Sequence, residues 1–201
     1  MCVDNNLNYF RGHPESVLDR ILSLSFEKSF GGIFRVTGDN PFTDPEIMNQ
    51  MVLMFKENDL DYVRCNGLPF GTTAELFSVK YLWDLYQKIE NPLDTEYLSL
   101  FVINDDKCKK GCIEYPNKDQ IEYINLSVDL EEDYNRCIHL LQKINTPWDK
   151  ISIKDIIQNL NLKEINLNKE VKLPTKTISL KEYMNKIKNL NYKTKYTYER
   201  K

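Results

Sequence analysis

A short apolar run, Gly31 to Val36, stops abruptly at Thr37-Gly38-Asp39-Asn40-Pro41 and is followed by Asp44-Pro45-Glu46. The run carries Ile33, Phe34 and Val36 and reads as a buried strand, and the residues after it end strands and form turns. An N-cap acid, a proline at the first helical position and a second acid in the first turn then make a helix start. A strand, a tight turn and a helix in immediate succession point to an α/β unit, with Asp39 just beyond the carboxyl end of the strand. In open α/β sheets ligands bind on that side. Asp39 therefore either caps its turn or holds a metal or a phosphate-linked ligand.

The unit recurs. Ile121 to Val128 has strand character and ends at Asp129, and Glu131-Glu132-Asp133 then opens a helix whose apolar face is Tyr134, Cys137, Ile138, Leu141 and Ile144. Between the two units, Asp61 to Arg64 and Thr72 to Phe77 read as strands, the latter with Glu75 in its middle. Ser78 caps a helix with an inward face of Val79, Leu82, Trp83, Tyr86 and Ile89. Further helices are expected from Pro14, which suits a first helical turn, to about Lys28 and from Leu93 to Val102, and a short strand at Asn8 to Phe10. Asn104 to Asn117, polar and rich in turn formers, reads as a surface hairpin or excursion. Strands alternating with helices predict an α/β fold with a largely parallel sheet flanked by helices. If the strands before Asp39 and Asp129 are near neighbours, the two carboxylates share a crevice. There they supply the hard oxygen ligands that magnesium takes while it also binds substrate phosphates. The alternative for Asp129 is the N-cap of the helix behind it.

Several function classes are excluded. There is no GxxxxGK[ST] or GxGxxG phosphate loop and no GxSxG elbow, and two histidines, His13 and His139, give little support to a Cys-His or Ser-His pair. The five cysteines are odd in number and scattered, which argues for free thiols; Cys108 and Cys112 lack the further ligands of a zinc site. No signal-peptide core follows the polar N-terminus, and the longest apolar stretch, Leu98 to Ile103, is too short to span a bilayer. The expectation is a cytoplasmic protein with no membrane partner. Residues 1–149 carry a net charge of -11 and residues 150–201 a net of +8. This divides the chain into an α/β domain over 1–149 and a basic helical C-terminal extension over 150–201. The extension's helix starts are at Ser152 with Asp155 and at Ser179 with Glu182, Lys163 to Thr177 is a linker, and the last ten residues are mobile. Its lysines are dispersed, so a solvated face is expected and not a nucleic-acid surface.

Five segments carry a family resemblance: Tyr9-Phe10-Arg11-Gly12 with Val17-Leu18-Asp19-Arg20, Arg35 to Phe42 with Asp44-Pro45, Leu68 to Phe77, Asp94-Thr95-Glu96-Tyr97, and Ser127 to Asp133. In that order they resemble the cytidylyltransferases, in particular the spore-coat polysaccharide branch related to acylneuraminate and deoxy-octulosonate cytidylyltransferases, over about residues 8 to 145. The resemblance implies a partial Rossmann-like nucleotide-diphospho-sugar transferase fold. It implies transfer of CMP from CTP to a sugar acid, with pyrophosphate leaving and Mg2+ as cofactor. By resemblance Asp39 and Asp129 are the metal ligands and Glu75 is the acid of the sugar-side strand. Arg11, Arg20 and Arg35 are candidates for anionic groups, each explained as well by a salt bridge. Tyr97 stands where the branch usually has histidine, which implies altered hydrogen bonding at the sugar site. No catalytic residue is identified.

Relatives begin with a strand and a basic, glycine-containing loop that holds the triphosphate, then a helix and a second strand. The expectation is that these N-terminal strands are missing from the fold and that the isolated chain binds CTP poorly, which puts its competence in question. Expected partners are CTP and a sugar acid, with a separate N-terminal half or a homodimer as further ones. The other reading is a non-catalytic α/β binding or assembly module built on the same scaffold.

Overall fold

Ser16, Asp44, Ser78, Ser152 and Ser179 each stand one residue before a helix, and each side chain accepts a backbone N–H of the first turn. The computed structural model describes residues 2–95, 97–116, 121–161, 170–172 and 177–198. Its helices are α1 (Val17–Lys28), α2 (Pro45–Asn58), α3 (Val79–Tyr86), α4 (Leu98–Ile103), α5 (Glu131–Lys143), α6 (Ile153–Gln158) and α7 (Leu180–Lys188). None of them is long and apolar enough to cross a membrane.

Asp44 does more than cap α2. Its Oδ1 accepts the N–H groups of Glu46 at 2.7 Å and Ile47 at 3.2 Å, while Oδ2 accepts the N–H of Ile153 at 2.7 Å. One carboxylate, 7% exposed, thus ties the starts of α2 and α6 together across more than a hundred residues. Asp44→Ala is expected to lower the unfolding free energy by about 3 kcal/mol, because a helix cap and a buried charged acceptor are lost together. Urea denaturation reads this directly, and a loss below about 1 kcal/mol would show that the tie is not needed.

The strands are β1 (Gly32–Arg35), β2 (Tyr62–Asn66), β3 (Glu75–Ser78), β4 (Lys110–Glu114), β5 (Glu170–Lys172), β6 (Thr177–Ser179) and β7 (Thr194–Thr197). Five of them form one sheet in the order β1-β3-β2-β4-β7, and β5 pairs β6 in a separate antiparallel hairpin. The sheet is mixed: β3 runs antiparallel to β1 and β2, whereas β4 is parallel to β2 and β7. With helices packed on the sheet, the α/β class stands. Directly opposed partners share a face, so Arg35, Glu75, Arg64, Cys112 and Lys195 form one row across it. Val63, Cys65, Leu76 and Ile113 point the other way into a core with Met51 and Met54 of α2 and Ile153 and Ile156 of α6. Tyr62 and Phe77, on the first face, pack with Leu18, Leu22, Leu82, Leu98 and Val102. A third cluster joins α7 to Val171 and Ile178 of the hairpin.

Several expectations are corrected. The strand of Ile33 and Phe34 is not buried: β1 is an edge strand of the described sheet, half-buried throughout, and Val36 beyond it is 44% exposed. Asn104 to Asn117 is neither a surface hairpin nor an excursion, since it contains the buried strand β4, which lies between β2 and β7. Lys110 disguises this strand; its buried ammonium is satisfied by the carbonyl of Asp105 at 2.5 Å. Ile121 to Val128 is buried as expected but is not a strand of the sheet. It starts as a 3-10 turn over Ile121–Tyr123 and continues as extended chain bonded to the loop at Phe70. Leu93 to Val102 divides into a 3-10 turn, Pro92–Asp94, and α4, and Asn8 to Phe10 has no regular structure.

Most of the expected linker, Lys163 to Thr177, lies outside the described residues; Glu170–Lys172 within it is strand. The last ten residues include β7, which pairs with β4, so the basic C-terminal part adds a strand to the same sheet as well as α6 and α7. All five cysteines are free thiols, four of them buried. Burial pushes the thiols of Cys108 and Cys112 up to about 12.

Candidate functional site

β1, β2 and β3 converge with the turn at Asp39, the loop at Gly71, the segment at Asp129 and the start of α7 on a cleft of ≈ 560 Å³. The Asp39 and Asp129 segments meet there without being paired strands. Instead, the N–H of Val128 donates to the carbonyl of Asp39 at 2.9 Å. The loop before Gly71 is fixed to the same segment: Phe70 N–H donates to Ile124 O at 2.9 Å, and Leu126 N–H donates to Phe70 O at 2.8 Å. Gly71 has φ +85, and its α-hydrogen faces the backbone of Ser127 where a Cβ would not fit.

The alternatives open for the two acids separate here. Asp39 Oδ1 is buried in the cleft wall and has no hydrogen-bond partner among the described residues, so that oxygen caps nothing. Asp129 does not cap α5 either. Asp133 does, accepting the N–H groups of Asp129 and Leu130 at 3.1 Å each and pairing with Arg136 at 2.5 Å. Burial works to raise the Asp133 carboxyl, but these hydrogen bonds and the guanidinium outweigh it and hold it below the usual carboxylate range. Asp129 is left to face the cleft, with Oδ2 3.0 Å from Ser127 Oγ.

On the sheet side, Glu75 is fully engaged. Tyr62 OH donates to Oε1 at 2.8 Å, and Arg35 Nη1 donates to Oε2 at 3.1 Å. Burial, with the Glu75 charge next, holds the Tyr62 phenol far above its ordinary range, so it stays a donor. Arg35, Glu75 and Tyr97 all line the cleft. Arg11 and Arg20 do not. Arg11 lies over the Tyr9 ring, 5.9 Å from its centroid, and Arg20 donates to the carbonyls of His13 and Pro14 at 2.8 Å each. His13 is part of the same turn, with Nδ1 accepting from the N–H groups of Glu15 and Ser16.

Two contributions were missed from the sequence. Arg64 reaches the cleft from β2, and its signal was present as a lone charge inside an apolar strand. Tyr183 and Met184 of α7, with Glu170 and Val171 of β5, form the far wall; no local pattern in the C-terminal part points back to Asp39.

The cleft is thus divided in charge, with arginines on the sheet floor and aspartates at the turn. No group of three or more His, Cys, Asp or Glu side chains suited to a metal occurs among the described residues. Two carboxylates do fit magnesium, which typically takes one or two and completes its shell with water and phosphate oxygens. The unpartnered Asp39 Oδ1 has the chemistry of such a ligand.

A family model described as Cytidylyltransferase matches residues 5–159. Spore coat polysaccharide biosynthesis protein SpsF of Bacillus subtilis is 29% identical over 163 residues, covering 80% of this chain and 67% of that protein. An uncharacterized protein of Methanocaldococcus jannaschii is 28% identical over 173 residues, 84% of this chain and 70% of its own length. A solved cytidylyltransferase from Leptospira borgpetersenii superposes with a TM-score of 0.70 at 24% identity, covering 78% of this chain and 67% of that one. At that identity the likeness speaks for the fold.

Proposed function

The chain belongs to the cytidylyltransferase family, and from that premise we propose that its cleft binds CTP and a sugar acid and transfers CMP to the sugar, releasing pyrophosphate. The observation that carries the reading is the buried, unpartnered Asp39 Oδ1 beside Asp129. Asp39 and Asp129 would hold Mg2+, which when bound balances phosphate charge and aligns the in-line displacement. Glu75, clamped between Tyr62 and Arg35, cannot swing away, and would hold those two donors in place on the sugar side of the cleft. Tyr97 and the α7 wall line the same cleft and would contact the bound sugar. Similarity to SpsF extends the proposal to a role in surface polysaccharide biosynthesis, and use of CTP to a cytoplasmic setting. The test is formation of CMP-sugar and pyrophosphate from CTP, Mg2+ and a panel of nonulosonic acids. Product with at least one acid is expected, and no turnover with any of them would overturn the reading.

A further inference from the structure

Arg64 is the feature of the cleft that neither the fold nor the proposed metal site uses. It stands in the middle of β2, opposite Glu75 on one side and Cys112 on the other, and is 5% exposed. Its Nε is buried and has no hydrogen-bond partner among the described residues. A guanidinium carries five donors and stays charged in any protein environment. Burying its Nε without a partner is therefore costly unless something else supplies an acceptor.

The nearby groups are committed elsewhere. Both oxygens of Glu75 are taken, by Tyr62 and by Arg35. Tyr183 OH pairs with Ser99 Oγ at 2.9 Å, and Tyr192 OH donates to the carbonyl of Ile187 at 2.7 Å. Across β1, β3 and β2, two arginines flank one glutamate, and that glutamate bonds the outer one. The cleft floor thus retains a net positive charge centred on Arg64, which itself lines the cavity.

We infer that Arg64 is the oxyanion receptor of the cleft and takes the carboxylate of the acceptor, an assignment of source that rests on the transfer reading above. The bound group supplies a planar pair of oxygens to a planar fork of donors, a geometry lysine does not reproduce. A phosphate of the nucleotide has the same chemistry, and the test separates the two sources.

The experiment is calorimetric titration of the full chain and its Arg64→Met and Arg64→Lys variants with N-acetylneuraminate, its neutral methyl ester, CMP and cytidine. Wild type is expected to prefer the acid over its ester by about tenfold or more, Arg64→Met to lose that preference while binding the ester unchanged, and Arg64→Lys to keep part of it. If Arg64→Met instead loses the preference for CMP over cytidine, Arg64 is still the oxyanion receptor but the carboxylate assignment is overturned. Unchanged preferences in Arg64→Met, or a wild type that binds none of the four, overturn the inference altogether. The melting temperature of each variant serves as the folding control, and binding is compared only between variants that melt as the wild type does. Because the readout is binding, a chain that discriminates through Arg64 yet forms no CMP-sugar would count against the transfer reading and not against this one.

Discussion

Gly71→Ala should lower the unfolding free energy by about 3 kcal/mol or more. Its φ of +85 already disfavours a side chain. The added Cβ would also meet the backbone nitrogen of Ser127 and lie 2.8 Å from its Cα and 2.9 Å from the carbonyl carbon of Leu126. These are backbone atoms and cannot swing aside. Relief requires the loop and the Asp129 segment to separate, which breaks the Phe70–Ile124 and Leu126–Phe70 hydrogen bonds that hold them. Gly38→Ala is the control, because a Cβ there meets nothing within 4 Å and its φ is unrestrictive; it should change stability by less than about 0.5 kcal/mol. Urea denaturation of both variants settles the point, and equal midpoints would contradict the role given to Gly71.

Asp39→Asn should move stability and ligand binding in opposite directions. A buried carboxylate oxygen without a partner costs free energy in the unliganded protein, so neutralising it is expected to raise stability by about 1 kcal/mol. The same change removes a carboxylate proposed to hold the metal, and on that proposal the affinity for Mg2+ with CTP should fall by about 100-fold. Thermal unfolding with and without Mg2+ and CTP shows both effects: a higher melting temperature alone, and loss of the ligand-induced increase. A variant that is destabilised and still stabilised by ligand would assign Asp39 to the fold.

The parts of this fold that were legible in the sequence are those governed by neighbours along the chain. Asp44-Pro45-Glu46, Ser78 and Ser179 start helices because capping is a local matter. Three features were not legible. Lys110 hid β4, since the acceptors that permit a buried ammonium come from its own preceding turn. Ile121 to Val128 has the apolar content of a strand, yet its backbone partners are the loop at Phe70, a pairing that no periodicity encodes. Thr194–Thr197 is polar and terminal, and becomes a strand only because β4 offers a parallel edge.

The candidate site divides in the same way. Asp39 could be placed from the turn that carries it, whereas the segment before Asp129 is held by the loop at Phe70 and the pairing of Arg35 with Glu75 comes from the β1–β3 register, which periodicity does not encode. The release of Asp129 from capping depends on Asp133 taking two N–H groups, a choice among three consecutive acids that spacing alone leaves undecided. Arg11 and Arg20 were drawn elsewhere by short-range acceptors and an aromatic face.

The central claim is that Asp39 and Asp129 act as one site for a metal-bound nucleotide, and a double-substitution cycle on Mg2+-dependent CTP binding tests it most directly. Calorimetry on the wild type, Asp39→Asn, Asp129→Asn and the double variant should show binding that EDTA abolishes in the wild type. Each single substitution should weaken it by about 100-fold, and the double should cost little more than either, the non-additivity of groups that serve one ion. Costs that simply add, or binding to the wild type that survives EDTA, would contradict the account.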